Sequence, residues 1–329
     1  MDSIQIKTNS INFCVLSHSK ERIFDQIDFL SNALKAFGYS LSVSEMLDPT
    51  SVNIVQEGFF SRCSSDYVRE FCSKYQRKIV VVLTEHMDIV GNKIEINGFG
   101  MNAKNDVMDN ASTRFHNLCL ILPYIRSFAV LGHFPDKAKI QKIFPAIPIQ
   151  TIPYTPICSK KNIKKDKKTD FSFTGALTPY REKLLKALQR EFRCYYGFEE
   201  TIDRRREVIS ESKFHLQIPQ NKSWSQISPM RVLFSLKSGT PVLNISAYED
   251  HFFTDRIIPR FPANDMKTLI DNLTTVLKES ESHDCLDSQI LSFNEAINAT
   301  FNQSNLGLFL NTWQELESQG DEFSSDPDT

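Results

Sequence analysis

The chain has 329 residues, of which 41% are hydrophobic and 24% charged, with a formal net charge of −2 at pH 7. That length admits one large domain or two ordinary ones, and the composition is that of a globular protein with a sizeable core. The near-balanced charge excludes a whole-protein field that would draw in nucleic acid or an acidic membrane surface.

In chain order, the opening MDSIQIKTNS lacks the basic start and apolar core of a secretory signal. INFCVLS (11–17) is a mostly apolar strand, residues 21–37 are an amphipathic helix ending at Gly38, and YSLSVSE (39–45) alternates as a second strand. VNIVQEGF (52–59) is a third strand, residues 64–76 a helix, and KIVVVLTE (78–85) the clearest buried strand of this half. Residues 86–109 carry Gly91, Gly98 and Gly100 among polar residues with weak periodicity, which predicts a long loop. A helix over about 110–126, a strand FAVLG (128–132) and the proline-rich IPIQTIPYTPI (147–157) follow. CSKKNIKKDKKTD (158–170) packs six lysines between Lys160 and Lys168. Without interleaved aromatics it reads as a solvated linker rather than a nucleic-acid patch.

Beyond it the alternation restarts. DFSFTGAL (170–177) is strand and turn, 179–192 a helix, FRCYYGF (192–198) a strand, 200–212 a helix and KFHLQIP (213–219) a strand. SPMRVLFSLKSGTPVLNI (228–245) is a helix running into a buried strand, and RIIPRF (256–261) a further short strand. Helices are expected over 264–279, 285–300 and 305–318, then a disordered acidic tail. No apolar run approaches the roughly 20 residues that span a bilayer, so no transmembrane segment is expected. Seven cysteines, an odd number without a CxxC pair, argue against a disulfide framework or zinc site and for a cytoplasmic location.

Strands separated by helices predict an α/β protein of two Rossmann-like, doubly wound parallel-sheet domains facing a cleft, with C-terminal helices crossing back. The boundaries expected are 1–158, a lysine-rich linker at 159–169, 170–300, a crossover helix at 301–318 packing on the N-terminal domain, and a tail at 319–329.

Two arginines stand out. Ser228 suits an N-cap, Pro229 the first helical position and Gly239 the stop, which puts Arg231 in the first turn, where the helix dipole disfavours a cation. Thr178 and Pro179 start another helix with Arg181 in its first turn, just after Thr174 and Gly175. One such arginine would be a surface residue paired with an acid such as Glu182. Two, each at a helix start after a strand, read as anion-binding residues as readily as structural ones. Between them, Gln217, Gln220, Asn221, Ser223 and Gln226 suit a sugar or nucleobase edge, and equally an ordinary wet loop.

The runs FTGALTPYREKLLKAL, SESKFHLQIPQ and SPMRVLFSLKSGTPVLNI together resemble the nucleotide-sugar domain of GT-B glycosyltransferases, nearest the spore-maturation-type branch of the group 1 bacterial enzymes. The resemblance covers residues 170 to 245. It implies a donor domain in the second half, an acceptor domain in the first, and no required metal or other cofactor. It places Thr174, Gly175, Arg181, Gln220, Gln226, Ser228 and Arg231 around the diphosphate and sugar of a nucleoside-diphosphate sugar. Many retaining relatives carry a glutamate pair here. This chain has Phe234 at the second position and Gln226 near the first.

A base for the acceptor hydroxyl is sought at the end of the strongest first-half strand, at Glu85, His86 and Asp88, with His18 as an acceptor-side contact. The alternatives are that Glu85 caps the next turn, that His86 is a satisfied loop residue and that His18 is a cap. No His/Cys/Asp/Glu group has metal-ligand spacing. The expected function is metal-independent sugar transfer from a nucleotide-sugar donor to an unidentified glycan, protein or small-molecule acceptor, with no nucleic-acid partner. The alternatives are a non-catalytic nucleotide- or carbohydrate-binding protein, or a sugar-nucleotide hydrolase or epimerase.

Overall fold

The structure is a computed structural model that describes residues 10–16, 20–57, 61–84, 87–90, 93–96, 99–100, 106–134, 137–158, 166–197, 201–220, 222, 227–279 and 282–300. The described residues form two compact units, one of residues 10–20 and 27–155 and one of residues 21–26 and 156–300.

The first unit runs β1 (Ser10–Cys14), α1 (Phe24–Ala36), β2 (Ser40–Ser44), β3 (Val52–Gln56), α2 (Arg62–Tyr75), β4 (Ile79–Leu83), β5 (Met87–Val90), β6 (Lys93–Ile96), β7 (Phe99–Gly100), α3 (Asp106–Leu120), β8 (Ile125–Leu131), α4 (Lys137–Ile143) and β9 (Ile149–Ile152). The first turn of α1 groups with the second unit. The main sheet is six-stranded and parallel, in the order β2-β1-β3-β4-β8-β9. Its centre is β4, IVVVL, buried at every position because both faces are covered. Ser61 caps α2 by accepting a hydrogen bond from the Ser64 amide, and Gln76 ends it in the left-handed region at φ 51°.

Two readings of this half are corrected. The long loop expected over 86–109 instead contains the antiparallel meander β5-β6-β7 and the start of α3. Strands of four residues or fewer are too short for a periodicity to show. The segment before β9 also contains α4, which the sequence reading left unassigned.

The second unit runs β10 (Thr169–Thr174), α5 (Pro179–Gln189), β11 (Cys194–Gly197), α6 (Ile202–Ser210), β12 (Ser212–Gln217), α7 (Pro229–Lys237), β13 (Val242–Asn244), α8 (Met266–Glu279) and α9 (Ser282–Thr300). Its sheet is parallel in the order β11-β10-β12-β13. RIIPRF is not a strand: Arg260 alone makes an isolated parallel bridge, to Asn244. The proline at 259 cannot donate, and its carbonyl instead accepts from the Asn244 amide.

The two faces of this sheet differ. Phe171, Phe173, Phe214, Leu216 and Leu243 pack with Leu184, Leu185, Leu188, Leu269 and Leu273 into one apolar core. The other face carries Ser172 and Thr174 from β10, His215 and Gln217 from β12 and Asn244 from β13, all buried. The helix expected over 305–318 and the acidic tail lie outside the described residues.

Candidate functional site

In the second sheet β10 lies between β11 and β12, so the chain leaves it in both directions. Sheets of this kind bind ligands where the strand order reverses, beyond the carboxyl ends of the strands. Here that place is formed by Thr174 at the end of β10 and Gly175 after it, Gln217 at the end of β12 and Ile218 after it, and the starts of α5 and α7.

Arg231 is the centre of this group. Its Nη1 donates to Gln217 Oε1 at 3.2 Å, and its guanidinium lies over the Phe173 ring at 5.6 Å. Gly175 lies against it at φ +145°, and a Cβ there would meet Arg231 Nη2 at 3.0 Å. The backbone conformation favours glycine, and a Cβ there would push the guanidinium aside by a few tenths of an ångström. Ser228 precedes α7 without a side-chain capping bond. The helix thus begins with amides that its own cap does not engage, beside a cation.

Arg181 is placed differently. It is 3% exposed and stacks on the same Phe173 ring at 5.2 Å. Its Nε donates to Ile218 O at 3.0 Å and Pro219 O at 3.2 Å, its Nη2 to Ile218 O at 2.8 Å and its Nη1 to Ala176 O at 2.8 Å. It clamps the loop after β10 to the loop after β12. Thr178 reinforces the clamp: its Oγ1 accepts from the Arg181 amide at 3.3 Å and donates to Gln220 O at 2.7 Å.

The charge balance is strongly positive. Burial, then repulsion from Arg231, lowers the Arg181 pKa to about 9. Burial lowers that of Arg231 to about 10, with Asp25 opposing and Arg205 adding to the effect. Guanidinium groups do not shed protons readily. The depressions instead reflect chiefly the burial of these two cations. His215 is fully buried, with Nδ1 3.0 Å from Ser172 Oγ and Nε2 without a partner among the described residues. Burial, then Arg231 and Arg205, lowers its pKa to about 3, so it is neutral at pH 7.

The structure thus brings together Thr174, Gly175, Arg181, Ser228 and Arg231 of the expected donor residues, and Gln220 through its carbonyl. Gln226, His18, Glu85 and His86 lie outside the described residues, and Asp88 is the second residue of β5. Phe234, where the resemblance places a glutamate in retaining relatives, is an aromatic packing position. It meets Phe24 edge-on at 6.4 Å and has Arg205 and Arg206 over its ring at 5.9 Å each.

Three members of the site escaped the sequence reading: Arg205, His215 and Asp25. Arg205 is signalled more weakly than Arg181 and Arg231: Thr201 caps α6, whose third residue is Arg204, and Arg205 is the fourth. His215 is signalled by the alternation of KFHLQIP, in which His215 and Gln217 share the polar face. Asp25 carries no local signal, being an ordinary first-turn acid of α1.

Among the described residues, no group of three or more His, Cys, Asp or Glu could hold a metal ion. Nor is any described helix long and apolar enough to cross a membrane.

No family model matches the sequence, and no curated protein matches it. Solved structures do. T4 phage BGT in complex with UDP-glucose aligns at a TM-score of 0.51 and 14% identity, over 88% of this chain and 98% of that one. T4 phage BGT in complex with UDP and Mn2+ aligns at 0.53 and 15%, with the same coverage. A structure of the DNA-modifying enzyme β-glucosyltransferase aligns at 0.50 and 15% over the same shares. At these identities the likeness is one of fold: the chain has the two-sheet α/β architecture of the GT-B glycosyltransferases. The expectation of no nucleic-acid partner finds no support in this group, since one of its members modifies DNA.

Proposed function

We propose that this chain is a glycosyltransferase that takes a sugar from a nucleoside-diphosphate donor held by the second unit. The observation that carries this reading is Arg231, held over Gly175 at the point where the second sheet reverses its strand order. As the glycosidic bond breaks, negative charge grows on the departing diphosphate. A guanidinium and helix amides fixed in a partly dry site stabilise that charge without reorganising. Arg231 and the start of α7 are assigned this role, with Gln217 orienting the guanidinium. Arg181 acts one step removed, by holding the two loops between which the diphosphate lies. Ser228, Thr174 and Gln226 complete the donor side.

Arginines and helix termini perform the work a cation performs elsewhere, so the reaction is read as metal-independent. Turnover equal in EDTA and in Mn2+ is the expected outcome. On the acceptor side, Glu85, His86 or Asp88 is proposed as the base and His18 as a contact. The fold neighbours make DNA an acceptor to test beside glycans, proteins and small molecules. The finer kinship with spore-maturation-type enzymes rests on residues 170–245 and is proposed with the rest.

The test is incubation of purified protein with UDP-, GDP-, dTDP- and CMP-sugars, with and without acceptors including DNA, while nucleotide release is measured. One donor consumed, at a rate raised by an acceptor, is the expected result. Isomerised donor, or hydrolysis that no acceptor accelerates, would identify an epimerase or hydrolase instead.

A further inference from the structure

The donor-side arginines already face a carboxylate, and it comes from a distant part of the chain. Residues 21–26 group with the second unit, where Phe24 packs edge-on against Phe234 at 6.4 Å, one turn beyond Arg231 on α7. This contact brings the half-buried Asp25 into the field of Arg231 and of Arg205 from α6. Its Oδ1 accepts from the Gln26 amide at 3.1 Å. We propose that Asp25 is a stand-in for the donor's diphosphate, which balances Arg231 and Arg205 beforehand and takes up a proton from solvent when the diphosphate binds.

The inference rests on the donor reading above. A nucleotide sugar brings two negative charges to guanidiniums that Asp25 already serves. Two anions sharing one site cannot both stay ionised cheaply, so the weaker acid takes a proton. Burial already raises the Asp25 pKa against the pull of Arg205 and Arg231, and a diphosphate would raise it further. The described arginines and histidine at the site do not take up a proton near neutral pH. Arg181 and Arg231 keep their protons as guanidiniums, and His215, whose pKa burial lowers to about 3, is already neutral there. Arg206 beside Phe234 is paired with Asp203 at 3.3 Å, and Asp28 lies one turn along α1. Affinity for the donor therefore falls as pH rises above the pKa of Asp25 in the unliganded protein, by up to tenfold per unit for one linked proton.

The test is calorimetric titration with UDP-glucose, or GDP-mannose should the first not bind, from pH 6 to 8 in buffers of different ionisation enthalpy. Neither diphosphate diester titrates in that range, so any proton taken up belongs to the protein. Wild type should take up a fraction of a proton to one proton and bind more weakly toward pH 8. Asp25→Asn should bind with no uptake and a flat pH profile, and Asp25→Glu should restore the uptake. Binding with no uptake in wild type, or with the same uptake in Asp25→Asn, would overturn the proposal and leave the donor site standing. Failure of folded wild type to bind either sugar nucleotide would overturn both.

Discussion

The two units reverse their strand order in the same way, yet the two reversal points have opposite chemistry. In the first sheet β1 lies between β2 and β3, and the residue just after β3 is Glu57. Glu57 is 2% exposed; its Oε2 accepts from the Thr84 amide at 2.9 Å, its Oε1 from the Thr84 hydroxyl, and Arg114 Nη2 reaches Oε1 at 3.5 Å. This is an anion satisfied by its own chain. In the second sheet the corresponding place holds cations whose charge burial opposes, with Arg231 adding repulsion at Arg181 and Asp25 only partly offsetting burial at Arg231. Equivalent topology creates the location in both. Side-chain charge, and whether the fold itself satisfies it, decides which location awaits a ligand.

Substitutions on either side sharpen that contrast. The largest effect is expected for Arg181→Ala, which strips donors from the carbonyls of Ala176, Ile218 and Pro219 and opens a cavity between two loops. Unfolding by denaturant should show a loss of about 3–5 kcal/mol. A variant of unchanged stability that no longer binds nucleotide would make Arg181 a direct ligand and erase its distinction from Arg231.

Glu57→Ala is next, at about 2–3 kcal/mol, since the Thr84 amide and Arg114 lose their acceptor. Nucleotide affinity should not change. A loss of affinity without loss of stability would mean that the first reversal point also contributes to the donor site.

The third effect depends on pH. The folded protein refuses the proton that His215 accepts when unfolded, so the stability this neutral histidine supports is lost as pH falls from about 6.5 toward 3. Going from pH 7 to pH 5 should cost about 2 kcal/mol. Asn can keep the bond to Ser172 without titrating, so His215→Asn should flatten melting temperature against pH across that interval. Equal slopes in the two proteins would show that the polar face of the second sheet is not the acid-labile one.

Much of the architecture was legible because long aliphatic runs such as IVVVL can only be buried strands, and cap-proline pairs such as Thr178-Pro179 mark helix starts. The meander was not legible, since its strands are shorter than any period that could reveal them. The donor side was half legible, through the physics of a cation in a first turn. Arg205 escaped because a helix begun at 200 buries the signal that the cap at Thr201 displays. Glu57 escaped because a strand extended to residue 59 hides its place at the carboxyl end of β3. Asp25 could not be found at all, because its partners lie some 180 and 206 positions away and only folding introduces them.

The contrast between the two reversal points is tested most directly by titrating UDP into the folded wild type and into Arg231→Ala, followed by calorimetry. If the second site awaits a diphosphate, wild type binds saturably. Arg231→Ala then binds about 10- to 100-fold more weakly, as expected for losing a charge-assisted contact, while its melting temperature changes little. Equal affinity in the two proteins, or a strongly destabilised Arg231→Ala that still binds normally, would contradict it and make Arg231 a structural residue.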